Sequence, residues 1–275
     1  TTIYTLLPMQ TEGITEIVKT TKGRRALILQ KLKKQASVSV TELHEEFGVS
    51  EVTIRKDLND LFDRNLLIRT RGGAISCSSS ANKDDMPINN KRFFNIREKQ
   101  AIGRLAASLI EEGNTIMLDS GTTTLEIARN LGRFQRLTII TNALNVATEL
   151  LKYKRFNVIL LGGNLREPSL STVGPVAESN LKVFYCDKLF LGVDSFNIEC
   201  GLSTPNIEEA NINQVMLSMA SKVVAVFDSS KVNKRSFAFI APVDKIDVIV
   251  TDSNLPANIR TQLKSMNIKL HIADV

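Results

Sequence analysis

The sequence predicts two unlike folds in one chain: a small basic module of short helices ending in a hairpin, then a larger α/β domain on a mostly parallel sheet. Three observations carry this. Between Lys19 and Ile75 stand 12 Lys or Arg against 7 Asp or Glu, so the N-terminal quarter holds almost all of the formal net charge of +6. A serine-rich stretch with adjacent aspartates and Pro87, "SCSSSANKDDMPINN", then interrupts the chain in the manner of a linker. From about Ile96 onward, short Val/Ile/Leu runs alternate with helix-length segments, as strands buried on both faces and their crossover helices do. A length of 275 residues suits one large domain or two, and 43% apolar with 23% charged residues describes a chain able to bury a core. The divisions expected are an arm over 1–22, the basic module over 23–75, a linker over 76–95 and the α/β body over 96–275.

The arm shows little apolar periodicity, and Met9 within it is a candidate natural start. In the module, Ala26, Ile28, Leu29 and Leu32 form an apolar stripe beside Arg24, Arg25, Lys31, Lys33 and Lys34. After "SVSV", Thr41 is the expected cap of a short helix running through Phe47, which Gly48 ends. Ser50 caps a third helix, "EVTIRKDLNDLFDR", with Val52, Leu58 and Leu61 expected inward. "NLLIRTRGGAI" then reads as a two-stranded wing. Helix, short helix, glycine turn, helix and wing form the layout of a winged helix-turn-helix.

In the body the expected strands are "TIMLD", "LTIIT", "FNVILL", "DKLFLGVD", "KVVAVFD", "DVIVTD" and "IKLHI". Helices are expected over Thr123–Leu131, Ala143–Leu151, Pro175–Val183, Ile207–Ala220 and Pro256–Met266. Several strands end on a polar residue: Asp119, Thr141, Asp194, Asp228 and Asp252. Ligands of open α/β sheets bind outside the carboxyl ends of strands, so these residues line the expected crevice.

Two sets of side chains then suggest chemistry. On the third helix, Ser50, Thr53, Arg55 and Lys56 lie in the first two turns, where a recognition helix meets bases and phosphates. Arg55 has the fork for a guanine edge, Ser50 and Thr53 suit phosphate, and Arg69 and Arg71 on the wing can reach a phosphate row or the minor groove. In the body, Asp119, Ser120, Gly121, Thr122, Thr123 and Thr124 join a strand to a helix start, a place that favours an oxyanion. Thr141 and Asn142 make a second loop; Gly162, Gly163 and Arg166 make a third. Asp194 and Glu209 suit sugar hydroxyls or an acid/base pair, Lys231 suits phosphate, and Glu208 is read as solvated. The two histidines, His44 and His271, supply no base in the crevice. No 18-residue apolar run, no basic-then-apolar leader and only Cys77, Cys186 and Cys200 point to a reducing cytoplasm, without membrane, metal or cofactor.

At these residues the sequence resembles the DeoR family of bacterial sugar-operon regulators. "SEVTIRKDL" is similar to the family's recognition helix at Ser50, Thr53, Ile54, Arg55, Asp57 and Leu58, and "RTRGGA" to its wing. "LDSGTTT", "TNA", "LGGNLR", "DKLFLGVD", "STPNIEEA" and "DSSK" follow the family's order from about Gly23 to Val275. Lys56 stands where a second arginine is commoner, and "DSSKVN" lacks the usual phenylalanine–glycine. The resemblance implies a Rossmann-like effector domain similar to sugar-phosphate isomerases, used as a sensor. It also implies a repressor released from double-stranded operator DNA by a phosphorylated sugar, and a homodimer or homotetramer. The competing reading is a sugar-phosphate isomerase or deaminase with an appended nucleic-acid-binding module.

Overall fold

The computed structural model describes residues 20–35, 37–64, 66–70, 72–76 and 85–275. The chain divides into two units, Thr1–Lys83 and Asp84–Val275. In the first, Thr20 opens α1 (Thr21–Lys34) by accepting the Gly23 N–H on its hydroxyl at 3.1 Å. Then come β1 (Ser37–Ser39), α2 (Val40–Phe47), α3 (Glu51–Asp63), β2 (Leu67–Thr70) and β3 (Gly73–Ser76). The expected cap at Thr41 is corrected to Ser39. Its hydroxyl accepts the Glu42 N–H at 3.0 Å while the Glu42 carboxylate accepts the Ser39 N–H at 3.3 Å, so two orphan donors are satisfied together. Gly48 then ends α2 at φ +64°, a left-handed turn that a side chain would strain. "SVSV" contributes a strand the sequence did not announce: β1 pairs antiparallel with β3, giving a three-stranded wing in the order β1–β3–β2.

The core of this unit gathers Ile28, Leu32, Leu43, Ile54, Leu58, Leu61 and Leu67. Two apolar expectations fail. Ala26 is exposed, and Val52 turns outward at 75% exposure because Ile54 takes the inward position. The basic face of α1 is also not free. Arg24 Nε and Arg25 Nε donate to the two oxygens of buried Asp57 at 2.7 and 2.9 Å, and Arg25 also reaches Asp60. Lys31 pairs with Glu42 at 2.8 Å and with Glu46. Charge that reads as an anion-binding surface is thus spent on tying α1 to α2 and α3.

The larger unit begins with a one-turn helix, α4 (Ile88–Lys91), and α5 (Ile96–Ser108). There follow β4 (Thr115–Leu118), α6 (Thr122–Arg129), β5 (Thr138–Thr141), α7 (Leu144–Leu150), β6 (Asn157–Leu160), β7 (Asn164–Arg166), β8 (Ser171–Val173) and α8 (Pro175–Leu181). The chain continues through β9 (Lys188–Gly192), β10 (Ser195–Asn197), β11 (Gly201–Thr204), α9 (Ile207–Ser218), β12 (Val223–Val226), β13 (Ala238–Ala241), β14 (Val248–Asp252), α10 (Ala257–Ser265) and β15 (Lys269–Ala273). Each expected strand run joins one parallel sheet in the order β15–β14–β12–β9–β4–β5–β6. The central strands are apolar on both faces because both faces are covered. Ile116 and Leu118 pack with α5, α6 and α7; Met117 packs with α8, α9 and α10. Strands β10, β11 and β13 form a small antiparallel sheet beside this sandwich, and β7–β8 a hairpin; neither was expected. No helix among the described residues is long and apolar enough to cross a membrane.

Strand order reverses between β4 and β9: the chain leaves β4 toward β5 and β6 but returns to place β9 on the other side. The crossovers on either side diverge there and open a crevice at the strand C-termini.

Removing Asp57 takes a buried carboxylate away from buried Arg24 and leaves Arg25 with Asp60 as its ion-pair partner. Asp57→Ala should destabilise the N-terminal unit by about 3–5 kcal/mol. Hydrogen exchange on the full chain checks this: amides of α1 and α3 should lose protection while those of β9 and β12 keep theirs. Unchanged protection in α3 would mean that the ion pairs add no net stability.

Candidate functional site

On α3 the Ser50 hydroxyl accepts the Thr53 N–H at 3.2 Å and lies 3.0 Å from the Thr53 hydroxyl. These two groups therefore satisfy each other at the helix start, where the sequence reading gave them to phosphate. Arg55 and Lys56 are exposed; Arg55 pairs with Glu51 at 2.8 Å along the same helix, an exposed contact worth little. Arg69 Nη1 donates to the Gly73 carbonyl at 2.7 Å. Burial lowers the Arg69 pKa, and the Arg55 charge acts in the same direction. Arg71 lies outside the described residues.

The crevice of the larger unit is built around Asp119, at the end of β4. Its Oδ2 accepts the Gly192 N–H at 2.8 Å, bridging the two strands at the reversal of sheet order. The carboxyl is buried, and desolvation pushes its pKa well above the carboxylate range against the Gly192 bond. Next to it α6 starts at Thr122 with no side-chain cap, so its leading N–H groups carry the positive end of the helix dipole uncovered. Ser120, Gly121 and Thr122 border it half-buried, Thr123 is buried, and the Thr124 hydroxyl turns back to the Asp119 and Gly121 carbonyls at 3.0 and 3.1 Å. A Cβ at Gly121 would stand 3.0 Å from that hydroxyl, a tight approach that would press on the Thr124 side chain.

Thr141 and Asn142 are fully buried and bind backbone: Thr141 Oγ1 accepts the Ala143 N–H at 3.0 Å and Asn142 Nδ2 donates to the Thr172 carbonyl at 3.1 Å. Gly162 and Gly163 stand exposed between β6 and β7. Both Nη atoms of Arg166 are engaged within the protein. Nη2 is held by Asp85, and Nη1 by Ser169 and Glu209 at 3.1 and 3.3 Å, as an almost buried guanidinium requires. Desolvation raises the Glu209 pKa although Ser169 and Arg166 oppose it. Asp194, also desolvated, is nevertheless held below the carboxylate range by Lys91 at 2.7 Å and by Lys231. Thr204 Oγ1 lies 3.1 Å from Asp194 and 3.2 Å from Glu209. Glu208 is exposed, as expected.

The structure adds residues that the sequence reading passed over. Lys91 sits in the segment expected as linker; burial opposes its charge, but Asp194 more than offsets this and its pKa rises. Lys99 is buried in α5, donates to the Lys91 carbonyl at 2.7 Å, and is pushed by desolvation from 10.5 to about 8, Asp228 resisting and Lys231 and Lys91 assisting. Asn95, at φ +50°, reaches from the start of α5 to Asp228 at 2.8 Å. Lys231, in the turn after β12, is half-buried and forms no ion pair among the described residues. A cleft of about 260 Å³ runs alongside, bordered by Ile88, Arg92, Lys99, Thr122, Arg129 and Leu170. Three buried atoms at strand ends lack a partner among the described residues: Asp119 Oδ1, Asn142 Oδ1 and Asp228 Oδ2. Lys99 had left a sequence signal, since it shares the inward face of α5 with Ile102, Gly103 and Ala106.

Comparison with known proteins places residues 24–80 in the DeoR-like helix-turn-helix domain and residues 94–253 in the DeoR C terminal sensor domain. A putative aga operon transcriptional repressor of Escherichia coli O157:H7 is 38% identical, covering 91% of this chain and 93% of its own. Transcriptional repressor AccR of Agrobacterium fabrum is 34% identical over 94% and 100%. The glycerol-3-phosphate regulon repressor of Escherichia coli K12 is 32% identical over 89% and 96%. Ribose 5-phosphate isomerase A of Neisseria gonorrhoeae overlaps 50% of this chain and 53% of its own at TM-score 0.36 and 18% identity.

The lowered Lys99 pKa has a signed consequence for stability. Between about pH 8 and the ordinary value of 10.5, the unfolded chain binds a proton that the folded chain does not, so stability gains as pH rises through that window. Urea unfolding across it should show the gain, and Lys99→Met should flatten it. An unaltered pH profile in the variant would show that Lys99 titrates normally.

Proposed function

Because the chain belongs to the DeoR family of transcriptional regulators, we propose that it is a repressor of a sugar-utilisation operon which leaves double-stranded operator DNA when a phosphorylated sugar fills the crevice. The module over 23–75 contacts DNA through α3 and the wing, with Arg55, Lys56, Arg69 and Arg71 as its cations. The larger unit is the sensor. One observation supports the ligand class: Lys99, bonded to the Lys91 carbonyl, lines the same cleft as Thr122 at the uncapped start of α6, and Lys231 lies near enough to act on its charge. A dianionic phosphate suits such a place. Asp194, Glu209 and Thr204 supply the acceptors and donor that sugar hydroxyls need, at strand ends where partnerless polar atoms also gather. The names of relatives agree in class, with an aga operon repressor and a glycerol-3-phosphate regulon repressor among them. As in the family, the working form is a homodimer or homotetramer in the cytoplasm.

The test is a thermal-shift panel of phosphorylated sugars against their unphosphorylated counterparts, followed by calorimetry with and without operator. A ligand at a hundredfold excess over Kd should add about 2.7 kcal/mol of stability. Coupling is reciprocal, so saturating operator should weaken ligand binding by the factor by which ligand weakens operator binding. Lys99→Met should abolish the shift and leave operator binding intact and uninducible. Equal ligand affinity with and without operator would exclude the switch, and turnover of the sugar would favour an enzyme.

A further inference from the structure

The inward face of α3 is filled by Ile54, Asp57, Leu58 and Leu61. Opposite them, Val52, Arg55, Lys56 and Asn59 are exposed at spacings of three, four and seven residues, which aligns them as one stripe along the helix. Three members of the stripe are polar. Val52 is not, and it breaks local rules without a structural return. It is β-branched in a first turn, apolar, 75% exposed, and contributes nothing to a core that is already closed by Ile54. Glutamate would suit the helix better at that position. The neighbours of Val52 are the capping pair Ser50–Thr53 on one side and the Arg55–Glu51 pair on the other, so the valine stands at the leading end of the helix, among groups able to meet a duplex.

The edges of the major groove offer one apolar group, the C5-methyl of thymine. We propose that Val52 is a specificity-determining residue that reads a thymine through that methyl, beside Arg55 and Asn59, whose chemistry suits guanine and adenine edges. This rests on the DNA-binding role of the helix-turn-helix module and goes beyond it by assigning a base and an atom. The contact is apolar, so it is indifferent to salt, unlike the phosphate contacts of the lysines and arginines.

Thymine-to-deoxyuridine substitution removes only the methyl and provides the probe. A duplex would be selected from a random pool with the full-length protein, and each thymine then replaced in turn. The parent protein should lose about fourfold in affinity at one position of each half-site, the equivalent of one buried methyl-sized group. Val52→Ala should bind the thymine and uracil duplexes equally, with the salt slope of the parent, and Val52→Thr, which keeps one methyl, should retain part of the difference. Circular dichroism of the exposed-site variants should match the parent. Sequence-specific binding without any uracil penalty, or a penalty that survives in Val52→Ala, overturns the assignment of Val52 while leaving the regulator standing. Absence of any selected duplex would overturn both.

Discussion

A carboxyl group with almost no water around it bridges two strands that the chain visits more than seventy residues apart. Asp119 closes β4, and its bond to the Gly192 N–H fixes the end of β9 at the point where sheet order reverses. The position of the crevice follows from this contact. With β4 and β9 held side by side, α6 must begin next to Asp119, and the loop after β9 must bring Asp194 over the opening. Burial also pushes the pKa of this carboxyl upward, beside the head of α6. The same atom set thus supports the sheet and sets the polarity of the place where a ligand would lie.

Around that contact the charges are arranged in pairs of unequal strength. Arg166 is held from both sides by Asp85 and Glu209, and Lys91 is matched by Asp194, whereas Lys231 has no such ion pair among the described residues and Lys99 carries its charge at the expense of desolvation. The N-terminal unit divides its cations likewise. Arg24, Arg25 and Lys31 of α1 are committed to Asp57, Asp60, Glu42 and Glu46, whereas Arg55 and Lys56 on α3 are exposed. In both units, charge count misleads, and the residues free to act are those whose partners are exposed or missing.

This explains what the sequence could and could not disclose. The strands of the main sheet were legible because a strand covered on both faces reads as an unbroken apolar run: "KVVAVFD" became β12, and "DVIVTD" became β14. β10, β11 and β13 stayed hidden since "SFN" and "GLST" are short and mixed, "AFIA" is only four residues long, and the pairing of β11 with β13 depends on distant residues. Val52 was misread because one helical turn offers two apolar phases, and only packing chooses Ile54. Ser39 displaced Thr41 because Glu42 completes a box with the earlier residue. In the crevice, the strand-end motifs do lie at the ends of their strands, yet a guanidinium shows no sign in sequence of an aspartate 81 residues away. Lys91 was masked by the polar composition of its segment, while Lys99 could be read from its place on an apolar helix face.

The reversal of strand order also sets a timetable for synthesis. The described ion pairs and strand pairs of the N-terminal unit span shorter stretches of chain, Ser37 to Ile75 being the widest, and shorter loops close more readily. The sheet needs longer ones: β4 waits for β9, and the bond from Asp119 to Gly192 spans 73 residues. Domains fold as units in order of emergence, with loop-closure entropy delaying the long-range pairs. A nascent chain therefore acquires its winged module well before the crevice has a floor, and for that interval the molecule is half-made in one particular sense: shaped to hold DNA before it is shaped to hear anything else.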